Sequence, residues 1–191
     1  WFINKQAQSC HVLEMTSVLN ESDFVPGALD AVKSGGKLWG GPYTGKIKPG
    51  FWYRKSFFKQ HGLDVPNTWD EFVDLCARIK KIPGVRAPIA SGNGVGWPLS
   101  DVTEHFIATF GGPAMTRDLI AGRVSWTDPE VRDVFEDRLA PLLKAGYFSE
   151  PIEWTMAADL WWAGDYALYF MGSWITGMVK DPADLGVFAL P

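Results

Sequence analysis

The sequence predicts an α/β fold in which helices cover both faces of a mainly parallel β-sheet. Short apolar runs bounded by turn residues alternate along the chain with segments whose apolar residues recur at helical spacing. The chain has 191 residues, of which 47% are hydrophobic and 21% are charged, and this balance is typical of a globular protein with a sizeable core.

The strands are predicted from apolar runs that stop at turn residues. Gly-Gly-Pro closes a brief strand that begins at Lys37, and Tyr166 opens the clearest buried run. The first forty residues are otherwise polar and turn-rich, and we expect one short helix there at most. The predicted strands span residues 37–39, 51–54, 87–91, 166–171 and 185–191.

The helices are predicted from their start and stop signals. Thr68 and Glu71 form a Thr-x-x-Glu capping box, which Thr127 and Glu130 repeat, and Gly62 is a candidate C-cap. The predicted helices span residues 55–61, 68–82, 99–110, 127–148, 155–163 and 174–179, and Gly164 is expected to end the fifth of them.

Two prolines and a pair of glycines refine these helices. Pro129 lies in a first turn, where its missing N–H is tolerated, whereas Pro141 removes an internal hydrogen bond and is expected to bend its helix. Gly111 and Gly112 are expected to end the helix that precedes them.

Composition and charge exclude several classes of partner. The net charge is −4 and Lys and Arg form no long block, so we expect neither nucleic acid nor an anionic membrane surface as a partner. No apolar run approaches the roughly 18 residues of a transmembrane helix. Trp1 is not a start methionine and no leader pattern follows it, so the chain is expected to be mature, trimmed or partial.

The cysteines indicate little about the structure, whereas the tryptophans suggest a class of ligand. Cys10 and Cys76 define no disulfide framework and are expected to be unpaired, and no Cys/His spacing indicates zinc. The chain has 10 tryptophans, and large amphipathic rings suit ligands that are half apolar and half hydrated. Of the adjacent pair, Trp161 and Trp162, one is expected in the core and the other at the surface.

Three passages carry a resemblance to a known family. In chain order they read GKLWGGPYTGKIKPGFWYRKSFFKQHGLDVPNTWDEF, then WTDPEVRDVFEDRLAPLLKAGYF, then AGDYALYFMGSWI followed by LGVFALP. With this order and spacing, residues 12–191 resemble the solute-binding proteins of ABC importers, in the group that includes the maltose-binding protein. One departure is conservative, because Ala167-Leu168 stands where the family has Ala-Met.

The resemblance implies a periplasmic-binding-protein-like (type II) fold with two α/β lobes, of which this chain would be a fragment containing mostly the second lobe. It implies that residues 1–43 end the first lobe and that residues 44–50 form a hinge crossing. Residues 51–187 would form the second lobe, and residues 188–191 would begin the return crossing.

The resemblance also implies a function without chemistry. An extracytoplasmic protein of this kind, expected to be a monomer without cofactor or metal, captures a carbohydrate ligand between its lobes and delivers it to the membrane permease subunits of an ABC importer. Two alternatives remain: the same fold with a non-sugar solute such as a polyamine or phosphoester, or an enzyme that acts on glycans. Because neither carboxylates nor arginines are enriched near Trp174, a neutral ligand is favoured.

The strand end at residue 171 is the first candidate site. Ligands of open α/β sheets bind beyond the carboxyl ends of strands. Gly172 allows close approach of the backbone, Ser173 offers a hydroxyl, and the following helix start offers free N–H groups. In the resembled family the matching tryptophan stacks on the ligand, so Trp174 is expected to do so; the alternative is that Trp174 belongs to the core.

Two further segments supply weaker candidates. After the strand that starts at Ala87, Asn93 can donate to and accept from a sugar hydroxyl, and Trp97 either stacks or packs inward. At the start of the expected hinge crossing, Tyr43 is a candidate wall aromatic. Within the crossing, the candidate ligand contact is Lys46 or Lys48, of which Lys48 is preferred, unless these lysines are simply solvated.

Catalysis has little support in the sequence. Asp101, Glu104 and His105 share one face of a predicted helix, but no further metal ligand or HExxH pattern accompanies them. We interpret them as a solvated polar face. No glycine-rich phosphate loop and no convergent pair of carboxylates stands out.

Overall fold

The computed structural model describes residues 2–191, which divide into two compact units with the boundary between Gly45 and Lys46. The first unit contains helix α1 (Phe2–Gln8) and a small hairpin of strands β1 (Lys33–Ser34) and β2 (Lys37–Leu38). Gly35 and Gly36 connect the two strands with φ angles of 59° and 76°, which suits a tight two-residue hairpin turn.

The second unit is built on a four-stranded sheet with the order β4-β5-β3-β6. Strand β5 lies parallel to β4, whereas β3 is antiparallel to both β5 and β6. The strands are β3 (Gly50–Arg54), β4 (Ala87–Ala90), β5 (Tyr166–Met171) and β6 (Leu185–Phe188).

The expectation of a mainly parallel sheet is therefore wrong for the pairing of neighbouring strands, which is mostly antiparallel. Strands β4, β5 and β6 run in one direction, but β3 runs in the other and takes part in two of the three ladders. Alternation of strands and helices predicts layers, but it does not reveal that β5 inserts between β3 and β4.

Seven α-helices are described in the second unit, and their ends agree with several predicted signals. Gly62 (φ 61°) and Gly164 (φ 101°) are left-handed C-caps. Thr68 accepts a hydrogen bond from the Glu71 N–H at 3.2 Å, although the Glu71 carboxylate accepts from Asn67 rather than from Thr68. The helices are α2 (Lys55–His61), α3 (Trp69–Ile79), α4 (Trp97–Phe106), α5 (Gly112–Ile120), α6 (Pro129–Val134), α7 (Ala140–Lys144) and α8 (Trp154–Ala163).

Of two further helix predictions, one is wrong and one is confirmed. The second capping box does not form, because Asp128 is the N-cap and the Thr127 hydroxyl is hydrogen-bonded to Ser125. Gly111 and Gly112 end the preceding helical path as predicted, because Gly112 is the C-cap of a π-helical segment, Ile107–Gly111, and has a non-helical backbone (φ 80°, ψ 171°) from which α5 then starts. Near Pro141 the expected irregularity takes the form of a second π-helical segment, Phe135–Leu139.

The sheet separates two apolar clusters, because successive residues of a strand point to opposite faces. Phe51 packs in one cluster with Phe72 and Phe170, while its neighbour Trp52 packs in the other with Trp161. Trp161 is only 1% exposed whereas Trp162 is partly exposed, which confirms the core-and-surface prediction for this pair.

Both cysteines are free, as expected: Cys10 is exposed and Cys76 is buried. Within residues 2–191, no helix combines the length and apolar character required to cross a membrane.

Candidate functional site

One edge of the sheet gathers the carboxyl ends of three strands and the start of the fourth. The register pairs Gly50 at the start of β3 with Met171 at the end of β5, and Phe51 with Phe188 at the end of β6. Because β4 is parallel to β5, its end at Ala90 lies at the same edge. The segments before β3 and after β4 and β5 are therefore brought together.

Three tryptophan rings converge at this edge. The centroid of Trp97 lies 5.7 Å from that of Trp154 and 5.9 Å from that of Trp174. They surround an open depression of about 670 Å³, which we call the tryptophan groove. Its lining residues, all in the second unit, are Lys46, Lys48, Trp97, Trp154, Trp174 and Met178.

The Trp174 indole lies against Gly172 and is half-buried. A Cβ atom at Gly172 would lie 2.0 Å from Cζ3 of Trp174. Gly172 has an ordinary extended backbone (φ −77°), so the glycine is required by the ring and not by backbone strain. The space that the sequence assigned to an approaching ligand is occupied by the indole itself.

Ser173 holds a neighbouring segment in place. Its N–H donates to the Ile47 carbonyl at 2.7 Å, and its hydroxyl accepts from the Ile47 N–H at 3.3 Å. The segment that follows is a five-residue 3-10 turn, Ser173–Gly177, rather than the expected α-helix. The Ser173 N–H, expected to be free for a ligand, is therefore already engaged.

Lys48 lines the groove and is held in place by an ion pair with a residue outside the groove lining. Its ammonium pairs with Asp101 of α4, whose side chain is only 8% exposed. Lys46 lies on the opposite side of Ile47, with Nζ 5.5 Å from the centroid of the Trp174 ring. The segment Lys46–Lys48 thus forms a wall of the groove that is held by Ser173, in the turn after β5, and by Asp101 of α4.

The loop after β4 is divided between two environments. Trp97 faces the groove, but the Asn93 side-chain oxygen accepts a hydrogen bond from the Leu99 N–H at 3.0 Å in the first turn of α4. Asn93 lines a separate pocket of about 260 Å³, together with Val102 and Phe170. Asn93 therefore acts on the helix start and is not among the residues that line the groove.

Tyr43 lies in the first unit and is 97% exposed. Its expected contact with a ligand stays a prediction.

Trp154 is a groove residue that the sequence reasoning missed. Helix α8 begins at Trp154, and the Glu153 carboxylate caps it by accepting from the N–H groups of Thr155 (2.8 Å) and Met156 (3.1 Å). The hydrogen bond from the Thr155 hydroxyl and these N–H groups lower the pKa of Glu153. The sequence signal for this residue was the acidic N-cap Glu153 followed by an aromatic residue. The helix start was predicted one residue late, at Thr155, so Trp154 was not considered.

Tyr169 fixes Trp154 from the adjacent strand. Its hydroxyl donates to the Trp154 carbonyl at 2.9 Å, and burial, with a contribution from Glu153, raises the pKa of Tyr169. The hydroxyl therefore stays protonated and remains a donor at neutral pH.

The polar residues of α4 do not form a solvated face, contrary to the sequence interpretation. Asp101 is buried against Lys48, and His105 packs on Phe170 at 4.8 Å, while Glu104 is exposed. Burial lowers the pKa of His105, and its Nε2 atom is buried without a partner. Within residues 2–191, no group of three or more His, Cys, Asp or Glu side chains is placed to hold a metal ion.

A family model described as bacterial extracellular solute-binding protein matches residues 13–191. The chain belongs to this solute-binding family. The predicted resemblance to solute-binding proteins of ABC importers is thereby confirmed.

Two members of the solute-binding family illustrate the similarity. An uncharacterised ABC transporter extracellular-binding protein of Pyrococcus horikoshii is 61% identical over the whole chain, which covers 46% of that relative. A multiple sugar-binding protein of Streptococcus mutans is 30% identical over 81% of this chain and 39% of its own length. The chain thus spans about half the length of the relatives it matches, or less.

Solved structures support the fold. A chitin oligosaccharide binding protein superimposes with a TM-score of 0.84 and 30% identity, covering 99% of this chain and 49% of that protein. The fold of this solute-binding protein is therefore of the periplasmic-binding-protein type II class, as the resemblance implied.

Proposed function

We propose that this chain provides the carbohydrate-stacking lobe of an extracytoplasmic solute-binding protein that delivers a sugar or oligosaccharide to the permease subunits of an ABC importer. The observation that carries this proposal is the convergence of Trp97, Trp154 and Trp174 around one groove. The sugar-binding names of the Streptococcus mutans relative and of the chitin oligosaccharide binding protein support it.

The chemistry of the groove suits a pyranose ring. One face of a pyranose consists of C–H groups, which an indole can cover, while the hydroxyl groups at the rim need polar partners. Ligand pockets commonly measure about 300–1,000 Å³, and the groove, at about 670 Å³, falls within that range. Lys46 and Lys48 supply N–H donors at the rim of the same groove.

The groove favours binding without turnover. Glycoside hydrolysis requires two carboxyl groups that flank the scissile bond. Among the groove-lining residues of the described chain there is no Asp or Glu. The same feature disfavours a polyamine, because its cationic groups would face lysines.

We further propose that residues 44–50 and 188–191 are the crossings between the lobes of the whole protein. A Cβ atom at Gly50 would lie 2.2 Å from the Phe188 carbonyl oxygen, so the two segments run side by side. In this proposal the ligand stabilises a closed state because it contacts both lobes, and the lobes move about these crossings.

The test is to replace Trp174 with alanine in the full-length protein and titrate a panel of neutral and acidic sugars by calorimetry. Loss of a central stacking ring is expected to weaken binding by about 2 kcal/mol, roughly 30-fold. Trp126→Ala is the matched control, because Trp126 is 57% exposed and is not among the groove-lining residues. If the Trp174→Ala protein binds its sugar as tightly as the control, Trp174 does not stack on the ligand.

A further inference from the structure

The tryptophan groove carries positive charge that its own lining does not neutralise. Lys46 and Lys48 both line it, and no acidic side chain among the described residues does so. Lys48 is paired with Asp101, which lies behind the groove wall. Lys46 has no carboxylate partner within residues 2–191, and its recorded contact is with the Trp174 ring.

The position of Lys46 matters for any ligand that stacks. Its ammonium lies over the Trp174 ring, 5.5 Å from the centroid, so a sugar that stacks on this face of the ring competes with it for the same position. A stacked sugar therefore displaces the ammonium toward the edge of the ring. When a neutral sugar stacks, the ammonium loses its favourable contact with the ring. In exchange, the ammonium gains only hydrogen bonds to the hydroxyl groups of the sugar.

An acidic sugar replaces the lost contact with a stronger one. A charge-assisted bond from an ammonium to a carboxylate or phosphate oxygen is shorter and stronger than a bond to a neutral hydroxyl. The backbone at Lys46 is already positioned, because the neighbouring Ile47 forms two hydrogen bonds with Ser173. Little order has to be imposed on the backbone to place the charge beside a stacked ring.

We propose, on the basis of the stacking function above, that the groove selects sugars with an anionic substituent, and that Lys46 is the residue that determines this preference. This proposed preference differs from the expectation of a neutral ligand, which rested on the absence of charged residues close to Trp174 in the sequence. Lys46 and Lys48 are remote from Trp174 along the chain but reach the groove because β3 begins where β5 ends.

The experiment compares ligands that differ only in charge. Galacturonic, glucuronic and mannuronic acids and their short oligomers are titrated into the full-length protein by calorimetry beside their methyl esters. Sugar phosphates and sulfated sugars form a separate arm, which distinguishes a carboxylate preference from a phosphate or sulfate preference. We expect one acidic series to bind at least about tenfold more tightly than its neutral counterpart, and more weakly as salt is added.

Lys46→Gln removes the charge and keeps a hydrogen-bonding side chain that is one atom shorter. We expect it to weaken the binding of the acids by at least about tenfold, so that they bind no more tightly than their methyl esters, whose affinity falls by a smaller factor. Lys81→Gln is the matched control, because Lys81 is exposed and is not among the groove-lining residues. Circular dichroism of both variants verifies folding.

The outcomes separate this inference from the proposed function. Neutral sugars that bind as tightly as acids and depend on Trp174 overturn the charge preference but leave the stacking function intact. An acid preference that survives Lys46→Gln overturns the assignment to Lys46. Absence of binding to every sugar overturns both proposals.

Discussion

The ends of strands β4 and β5 lie side by side at one edge of the same sheet, yet they are used differently. After β4, the Asn93 side chain bonds the first turn of α4, and Gly92 is buried. After β5, Gly172 and Ser173 are also engaged, but Trp174 keeps its ring at an open groove.

The difference indicates that a side chain near a strand end stays available to a ligand only where the fold has given it no other partner. Both strand ends are followed by small residues and a tryptophan, so neither the sequence nor the position in the sheet distinguishes them. The two strand ends differ in whether the side chains that follow them already form hydrogen bonds or close packing contacts within the fold. Directly after β4, Gly92 and Asn93 serve structure and only Trp97, further along the loop, reaches the groove, whereas the β5 end presents Trp174 next to Ser173.

The largest expected effect on stability comes from Gly92→Ala at the β4 end. The added Cβ would lie 2.3 Å from the Tyr169 hydroxyl oxygen and 3.0 Å from the Trp154 Cα. Overpacking of this kind is expected to lower the free energy of unfolding by about 3 kcal/mol, measured by urea denaturation. Gly177→Ala at the same edge is the control, since its Cβ would meet nothing within 4 Å; equal stability of the two variants would contradict the close packing at the β4 end.

Gly172→Ala should affect binding more than stability. Its Cβ would lie 2.0 Å from the Trp174 ring, so the indole has to leave its place. The backbone there accepts any residue, and we expect the variant to remain folded but to lose about 2 kcal/mol of sugar affinity, roughly 30-fold. Titration calorimetry of Gly172→Ala and of the control Gly177→Ala measures the change in sugar affinity. Unchanged affinity in Gly172→Ala would show that sugar binding does not depend on the position of the Trp174 ring.

Asn93→Ala should show the reverse pattern. Removal of the bond to the Leu99 N–H is expected to lower stability by about 1 kcal/mol, as for a lost helix cap. Sugar affinity should stay within about twofold, because Asn93 is not a groove-lining residue. Asn93→Asp keeps the accepting oxygen and serves as the control; a large loss of affinity in the alanine variant would return Asn93 to the list of ligand contacts.

The smallest effect concerns His105, which packs against Phe170 beneath the β4 end. Its folded-state pKa lies below the usual 6.5 because of burial. As pH falls below that value the unfolded chain takes up a proton first, so stability decreases toward acid. His105→Phe should flatten this decrease between about pH 7.5 and about pH 5.5, measured by urea denaturation, and an unchanged slope would argue against His105 as its source.

Local signals explain what the sequence could predict. The caps at Thr68, Gly62 and Gly164 depend on residues a few positions apart, and the buried strand Tyr166–Met171 is a continuous apolar run. The strand order could not be predicted in this way, because the insertion of β5 between β3 and β4 depends on contacts distant in sequence.

The candidate site was predictable only in part, for the same reason. Trp97, Trp174 and Lys48 were named from strand ends and from the resemblance, and all three line the groove. Trp154 was missed and Lys48 was preferred to Lys46, since the approach of Trp154 and Lys46 to Trp174 depends on the β4–β5 and β3–β5 pairings. The division of labour between Asn93 and Trp97 follows from a single hydrogen bond to Leu99, which no pattern in the sequence reveals.

The central claim is tested most directly by fluorine NMR of the full-length protein labelled with 5-fluorotryptophan, with resonances assigned by single Trp→Phe variants. On saturation with the tightest-binding sugar of the panel, we predict that the signals of Trp174, Trp97 and Trp154 shift together while that of the exposed Trp126 stays in place. Shifts confined to tryptophans that do not line the groove would contradict the claim that this groove holds the sugar.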